Sequence, residues 1–176
     1  VSITVVENFL TSEECAWWIN FHKIHYSEFG EEFFDTNIID LQDTVLSMCN
    51  KNTRDSTDPI KLINARIAAH IISIDPCVFP NYSRVVHWPE QSRQARHIDL
   101  NFHPYTSIIY LNDDFEGGHT HISGTDITPQ TGKIITFKGN EMYHEVSPVT
   151  QGNRWTIATW YKRFQFFEIN KLNSGK

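Results

Sequence analysis

Two apolar rhythms divide the chain. In two stretches before residue 76, about 12–25 and 60–74, hydrophobic side chains recur at spacings of three and four, the period of an amphipathic helix. From residue 82 they gather in short β-branched and aromatic runs separated by turn residues, the texture of strands. After a β-rich opening at Ile3-Thr4-Val5-Val6, Thr11 and Glu14 form a capping-box pattern. It predicts a helix over about 12–25 with Trp18, Phe21 and His22 near one face. Residues 26–57 lack a clear period: 29–35 predicts a loop or irregular strand, and 51–57 a polar connection. Leu41, Val45, Met48 and Cys49 suggest a short helix between them. Asp58-Pro59 supplies an N-cap acid and a proline at the first helical position. Ile60, Ile63, Ile67, Ile71 and Ile74 then form one stripe that Pro76 ends. His70 inside it is expected to pack rather than to ligate.

The later runs cover 82–88, 95–99, 106–111, 119–122, 133–137, 143–146 and 155–163, punctuated by Asn112-Asp113-Asp114, Gly117-Gly118, Gly139-Asn140 and similar turns. Seven or eight short strands at this spacing predict a sandwich or jelly-roll barrel. The expected architecture is mainly β with flanking helices (α+β), the helices preceding the strands and packing on one sheet. One domain over 1–176 is expected, with helical support over about 11–76 and a core over about 82–163.

Composition adds exclusions. A net charge of −6 argues against a general nucleic-acid-binding surface, which needs a basic footprint. Arg84, Arg93 and Arg96 form either a local basic lip or plain surface charge. Cys15, Cys49 and Cys77 follow no CxxC spacing, so buried free thiols in a reducing compartment are expected. No apolar run approaches the ~20 residues of a membrane span, and no targeting segment is visible. A soluble, cytoplasmic protein is the expectation.

Candidate chemistry converges on His97-Ile98-Asp99, followed 45 positions after Asp99 by His144. Residues i and i+2 of a strand share a face, which predicts that His97 and Asp99 project together while Ile98 enters the opposite layer. Two imidazoles and one carboxylate on one side of an ion leave its other positions open, as in non-haem Fe(II) oxygenases. The absence of thiolate speaks against a structural zinc site. Arg154, ten residues after His144, is placed to hold an acidic co-substrate.

Over a longer stretch the chain resembles a known family. The text is His97-x-Asp99, Ile109-Tyr110-Leu111-Asn112-Asp113, Phe115-Glu116-Gly117-Gly118-His119-Thr120, Phe137, His144-Glu145-Val146-x-Pro148-Val149, Gly152-x-Arg154 and Trp160. It is similar to the catalytic core of the 2-oxoglutarate- and Fe(II)-dependent dioxygenases, in their prolyl 4-hydroxylase-like branch. Val6-x-x-Phe9-Leu10-Thr11-x-Glu13-Glu14-Cys15 resembles the opening of that branch. The resemblance implies a double-stranded β-helix with Fe(II) held by His97, Asp99 and His144. Arg154 would pair with the distal carboxylate of 2-oxoglutarate, helped by Tyr110 and Thr156; Trp160 would pack the barrel. O2 would be the second co-substrate and ascorbate a candidate reductant. The implied reaction is hydroxylation of a C–H bond, foremost in a prolyl residue of a peptide or protein, with a small molecule as the alternative substrate.

Two departures bear on this expectation. The family tyrosine nine residues before the first histidine is Trp88 here, followed by Pro89-Glu90-Gln91-Ser92 without a glycine, which leaves the substrate side open. Retention of Asp99 speaks against a halogenase. The family pattern turns Thr120 inward, so His119 and His121 are expected to face out; a rival metal pair or a substrate contact are their alternatives. His87 and His103 are candidates for the substrate mouth or for the surface. Competing function classes are a non-enzymatic, cupin-like binder of a metal or small ligand and a zinc hydrolase built on the same three ligands.

Overall fold

The computed structural model describes residues 2–41 and 58–164. Its elements run β1 (Thr4–Val6), α1 (Ser12–Phe29), β2 (Gly30–Phe33), β3 (Thr36–Asp40), α2 (Pro59–Ile74), β4 (Val78–Trp88) and β5 (Gln94–His97). They continue with β6 (Thr106–Tyr110), β7 (Glu116–Gly117), β8 (Thr120–Ile122), β9 (Thr125–Ile127) and β10 (Ile134–Phe137). The last are β11 (His144–Val146), β12 (Val149–Gln151) and β13 (Arg154–Arg163).

Both helices begin as their sequences dictate. The Thr11 hydroxyl accepts from Glu14 N–H, and the Glu14 carboxylate accepts from Thr11 N–H at 2.8 Å, a closed capping box. Asp58 accepts from Ile60 N–H at 3.0 Å, with Pro59 in the first turn, where its missing N–H costs nothing. From α1 the side chains of Cys15, Trp18, Phe21 and His22 are buried; from α2 those of Ile60, Ile63, Ile67 and Ile71. These stripes meet Ile39, Val85, Ile109, Trp155, Ile157 and Tyr161 in the larger of the apolar cores. Among the described residues no helix is long and apolar enough to cross a membrane.

The sheets make the double-stranded β-helix. Seven strands in the order β1-β10-β6-β13-β4-β3-β2 form the major sheet, whose back carries the helices. Four strands in the order β5-β11-β8-β9 form the minor sheet, and β12 pairs with β7. Alternation along the central strands sorts the residues into two layers. On β13, Trp155, Ile157 and Tyr161 join the helices, whereas Arg154, Thr156, Ala158 and Trp160 line the cavity between the sheets. On β4, Val85 joins the helices and Tyr82, Arg84, Val86 and Trp88 face the cavity.

Several expectations need correction. Residues 29–35 are more ordered than expected: α1 runs on to Phe29, Gly30–Phe33 is strand, and Phe34 and Asp35 turn the chain into β3, an antiparallel hairpin that extends the major sheet beyond β4. The aromatics and acids of β2 obscured its pattern because β2 is the edge strand, with Glu31, Glu32 and Phe33 exposed. Strands are thus interleaved with the helical support rather than following it. The short strands β7, β9 and β12 add to the expected runs. Cys15 is the buried thiol expected, but Cys77 is exposed. The suggested helix through Val45 and Cys49 lies outside the described residues.

Candidate active site

His97 and His144 stand opposite each other in the antiparallel pair β5–β11, with ring centroids 4.2 Å apart. Asp99 Oδ1 lies 3.7 Å from Nε2 of each histidine, and the three donor atoms fall within 4.8 Å of one another. Each imidazole is oriented from behind. The Nδ1–H of His97 donates to the Ala95 carbonyl at 2.8 Å, and that of His144 to the Met142 carbonyl at 2.9 Å. With Nδ1 protonated, a neutral ring presents its lone pair at Nε2, the atom that faces Asp99. Burial pulls the His144 pKa below its usual value and keeps the ring neutral, as a metal ligand must be. Among the described residues this is the one group of three that could hold a metal ion.

Strand alternation predicted the right neighbours for a partly wrong reason. β5 ends at His97, and Asp99 is held beyond the strand by its N–H donating to the Gly139 carbonyl at 2.9 Å. Ile98 is exposed rather than packed in an opposite layer.

Arg154 opens β13 at the far end of the cavity. Asn112 fixes its backbone from both sides, donating to the Asn153 carbonyl at 2.7 Å and accepting from Trp155 N–H at 2.8 Å. The guanidinium is 1% exposed. Nη2 donates to Thr120 Oγ1 at 3.2 Å, while Nε and Nη1 are buried without a partner. A buried cation costs several kcal/mol unless it is paired, so two orphaned donors mark a place for an anion. The face of Trp88, 4.6 Å from the guanidinium carbon, offsets part of that cost. Burial lowers the Arg154 pKa from its usual value, but a guanidinium remains charged at neutral pH.

Tyr110 and Thr156 are paired across β6 and β13. Tyr110 is fully buried, and its phenol donates to Thr120 Oγ1 at 2.8 Å; burial raises its pKa, so it remains a neutral phenol. It stands behind Arg154 rather than on the cavity wall. Thr156 lines the cavity and accepts from the Trp88 indole at 3.1 Å, which leaves its own proton to donate. Trp88 is thus tied into this end of the cavity through Thr156 and Arg154.

The other end is built differently. Trp160 stacks on Tyr82 with centroids 4.8 Å apart, and both line the cavity, so Trp160 is a wall residue and not barrel packing alone. Arg84 lies over the Tyr82 ring at 5.3 Å and pairs with Asp40 at 3.4 Å. Arg84 and Arg96 do not share a lip: Arg84 faces the cavity, and Arg96 lies on the Tyr143 ring at 4.5 Å. His103 is buried on the cavity wall, within 3.2 Å of the Asn81 amide. His87 points to the helical side and stacks on Trp155 at 4.1 Å. His70 packs against Phe9 and lies 2.8 Å from the Thr136 hydroxyl. His119 is exposed, His121 is paired with Asp126, and Thr120 between them is buried.

Two contributors were not singled out from sequence, and a third, Thr120, was expected only to face inward, as it does. Thr120 accepts from both Arg154 and Tyr110. Thr106 donates to Asp99 Oδ2, and Gly139 meets the same carboxylate. The period-two face of β6, shared by Thr106, Ile108 and Tyr110, was the available signal for Thr106. Gly139 looked like ordinary turn punctuation.

Residues 81–162 match the family model of the 2OG-Fe(II) oxygenase superfamily. Over these residues the chain is similar to the 2OG-Fe(II) oxygenases, and the relatives it matches are prolyl hydroxylases. Prolyl 3-hydroxylase 2 of Rattus norvegicus is 38% identical over 68 residues, which are 34% of this chain and 10% of that protein. The chain thus spans about a tenth of the length of that curated relative. A prolyl-4-hydroxylase of Pseudomonas putida superposes with a TM-score of 0.74 at 15% identity, covering 93% of each chain. The viral collagen prolyl hydroxylase of Paramecium Bursaria Chlorella virus-1, solved as a 2OG complex, gives 0.68 at 18% identity, covering 93% of this chain and 96% of that one. These two likenesses establish the double-stranded β-helix. The family implies Fe(II) and 2-oxoglutarate.

Proposed function

We propose that the protein is an Fe(II)- and 2-oxoglutarate-dependent dioxygenase that hydroxylates a C–H bond, with a peptidyl proline as the favoured target. One observation carries the proposal. A two-histidine, one-carboxylate cluster and a buried arginine with two unpartnered donors line the same cavity of about 250 Å³. A passive metal binder or a zinc hydrolase has no use for the second feature.

In this assignment His97, Asp99 and His144 hold iron, which when bound supplies the redox chemistry that activates O2 at the expense of 2-oxoglutarate. The protein's residues do the rest. The donors of Arg154 that lack a protein partner take the distal carboxylate of 2-oxoglutarate, and Thr156 adds its hydroxyl proton. Tyr110 and Thr120 hold the guanidinium from behind. Val86, Ile108, Val146 and Trp88 line the intervening wall and limit water, which suppresses stray oxidation. The substrate takes the end lined by Tyr82, Arg84 and Trp160. Prolyl hydroxylation is favoured by the relatives, whose names specify prolyl substrates. Ascorbate completes the assignment as the reductant that keeps the metal ferrous. Free Cys15 and Cys77 suit a reducing compartment.

Anaerobic addition of Fe(II) and 2-oxoglutarate is expected to produce a weak visible charge-transfer band. Admission of O2 should then release succinate and, in a panel of proline-containing peptides, a product heavier by about 16 mass units, one inserted oxygen under metal-oxygenase chemistry. Absence of both band and succinate refutes the oxygenase; succinate without a modified peptide refutes the prolyl substrate alone.

A further inference from the structure

We infer that Thr106 is a positioning residue for the metal centre, and that Gly139 is the gap that lets it act: together they hold Asp99 as a ligand through one oxygen. The inference rests on the oxygenase reading of the His97–Asp99–His144 cluster and assigns duties that the three ligands alone do not explain.

The two oxygens of Asp99 have different surroundings. Oδ1 faces both imidazoles, 3.7 Å from each Nε2. Oδ2 accepts the hydroxyl of Thr106. A carboxylate free to turn about its Cβ–Cγ bond offers an ion either oxygen or both. Using both would occupy a position that a bidentate co-substrate or O2 needs. The Thr106 hydroxyl engages Oδ2 and leaves the lone pairs of Oδ1 for the metal, so the rotamer is set before any ion arrives. Thr106 opens β6 on the same face as Tyr110, so one strand anchors the metal carboxylate at its start and supports Arg154 at its end.

Gly139 makes the contact possible. Its carbonyl accepts Asp99 N–H at 2.9 Å, which brings its Cα against the carboxylate. A Cβ at this position would fall inside contact distance of Asp99 Oδ2 and Thr106 Oγ1, and 3.1 Å from Asp99 Cγ. Gly139 is absent from the glycines with positive φ, so backbone conformation does not require a glycine here; space does. A methyl group would press on both the hydroxyl and the carboxylate it holds.

The test uses Co(II) as the probe, titrated anaerobically by calorimetry and by its visible spectrum, with thermal unfolding as the check on folding. Thr106→Val, nearly isosteric and suited to a strand, is expected to weaken Co(II) binding about 10–100-fold, the usual cost of losing a ligand's hydrogen-bond partner. Thr106→Ser, which keeps the hydroxyl, should stay within about threefold of the unaltered protein. Gly139→Ala should lose affinity as Thr106→Val does. Unchanged Co(II) affinity and spectrum in Thr106→Val would overturn the assignment. If that variant does not fold, the comparison of Gly139→Ala with Thr106→Ser decides, and equal affinity for the two overturns it. Failure of the unaltered protein to bind Co(II) would instead count against the metal site itself.

Discussion

The two ends of the cavity are built on the same pair of strands yet differ in nearly every physical respect. At one end β4 and β13 bring Trp88 opposite Arg154; at the other, Tyr82 opposite Trp160. The Arg154 end is closed. Its guanidinium is 1% exposed, and Tyr110, Thr120 and Thr156 are buried with their hydroxyls engaged, so the remaining donors are aimed and dry. The Trp160 end is open. Its aromatic pair and Arg84 are partly exposed, and exposed Phe33 and Leu100 also line the cavity. A closed end with fixed donors suits one small anion that is the same in every turnover. An open, aromatic end suits a larger partner that arrives by contact area, since aromatic anchors supply much of the energy at such surfaces. The metal ligands line the same cavity.

Removing Arg154 breaks the comparison most severely. Arg154→Ala is expected to weaken 2-oxoglutarate binding by about 30-fold or more, because a buried charge pair broken on one side costs about 2–5 kcal/mol. Co(II) affinity should stay within about threefold. Calorimetric titration of both ligands separates the effects, and unchanged 2-oxoglutarate affinity would remove Arg154 from its role. A smaller effect of opposite placement is expected at the other end. Trp160→Ala should raise the KM of a peptide substrate about tenfold, roughly the loss of one aromatic anchor, while leaving the KM for 2-oxoglutarate near its original value. A rise in the 2-oxoglutarate KM instead would show that the two ends are not separate.

Sequence made the closed end more legible than the open one. Arg154, Thr156 and Tyr110 sit at fixed intervals in two strongly patterned strands, so alternation alone put Arg154 and Thr156 on one face. The open end draws on β2 and β3, whose edge position left no clean period, and on residues beyond Asp99 that follow no strand. Asp99 itself was placed correctly because only one residue separates it from His97, although a loop-to-loop hydrogen bond with Gly139 does the holding. Thr106 and Gly139 escaped notice because they act through space on a side chain already assigned. Whether Arg84, Arg93 and Arg96 form a lip or plain surface charge stayed open because sequence proximity carries no information about facing: Arg84 and Arg96 line different cavities.

The smallest expected effect tests whether the closed end is stiffened from behind. Trp155 follows Arg154 on β13 and packs on the helical side against His87 and His22, with His22 Nε2 3.1 Å from the Asn37 carbonyl. Burial depresses the His22 pKa to about 4, against an ordinary value near 6.5. The unfolded chain therefore binds a proton at His22 more readily than the folded chain does. The resulting stability is fully present above about pH 6.5, is lost progressively as the pH falls toward about 4, and changes no further below that. The loss from this one group should be on the order of 1–2 kcal/mol after allowance for incomplete desolvation. Urea unfolding of the unaltered protein and of His22→Gln across that range isolates it, since the carboxylates titrate in both. If the closed end leans on this layer, 2-oxoglutarate affinity should fall with acidity more steeply in the unaltered protein than in His22→Gln. Parallel slopes would mean that Asn112 and the β4–β13 ladder hold Arg154 without help from the helices.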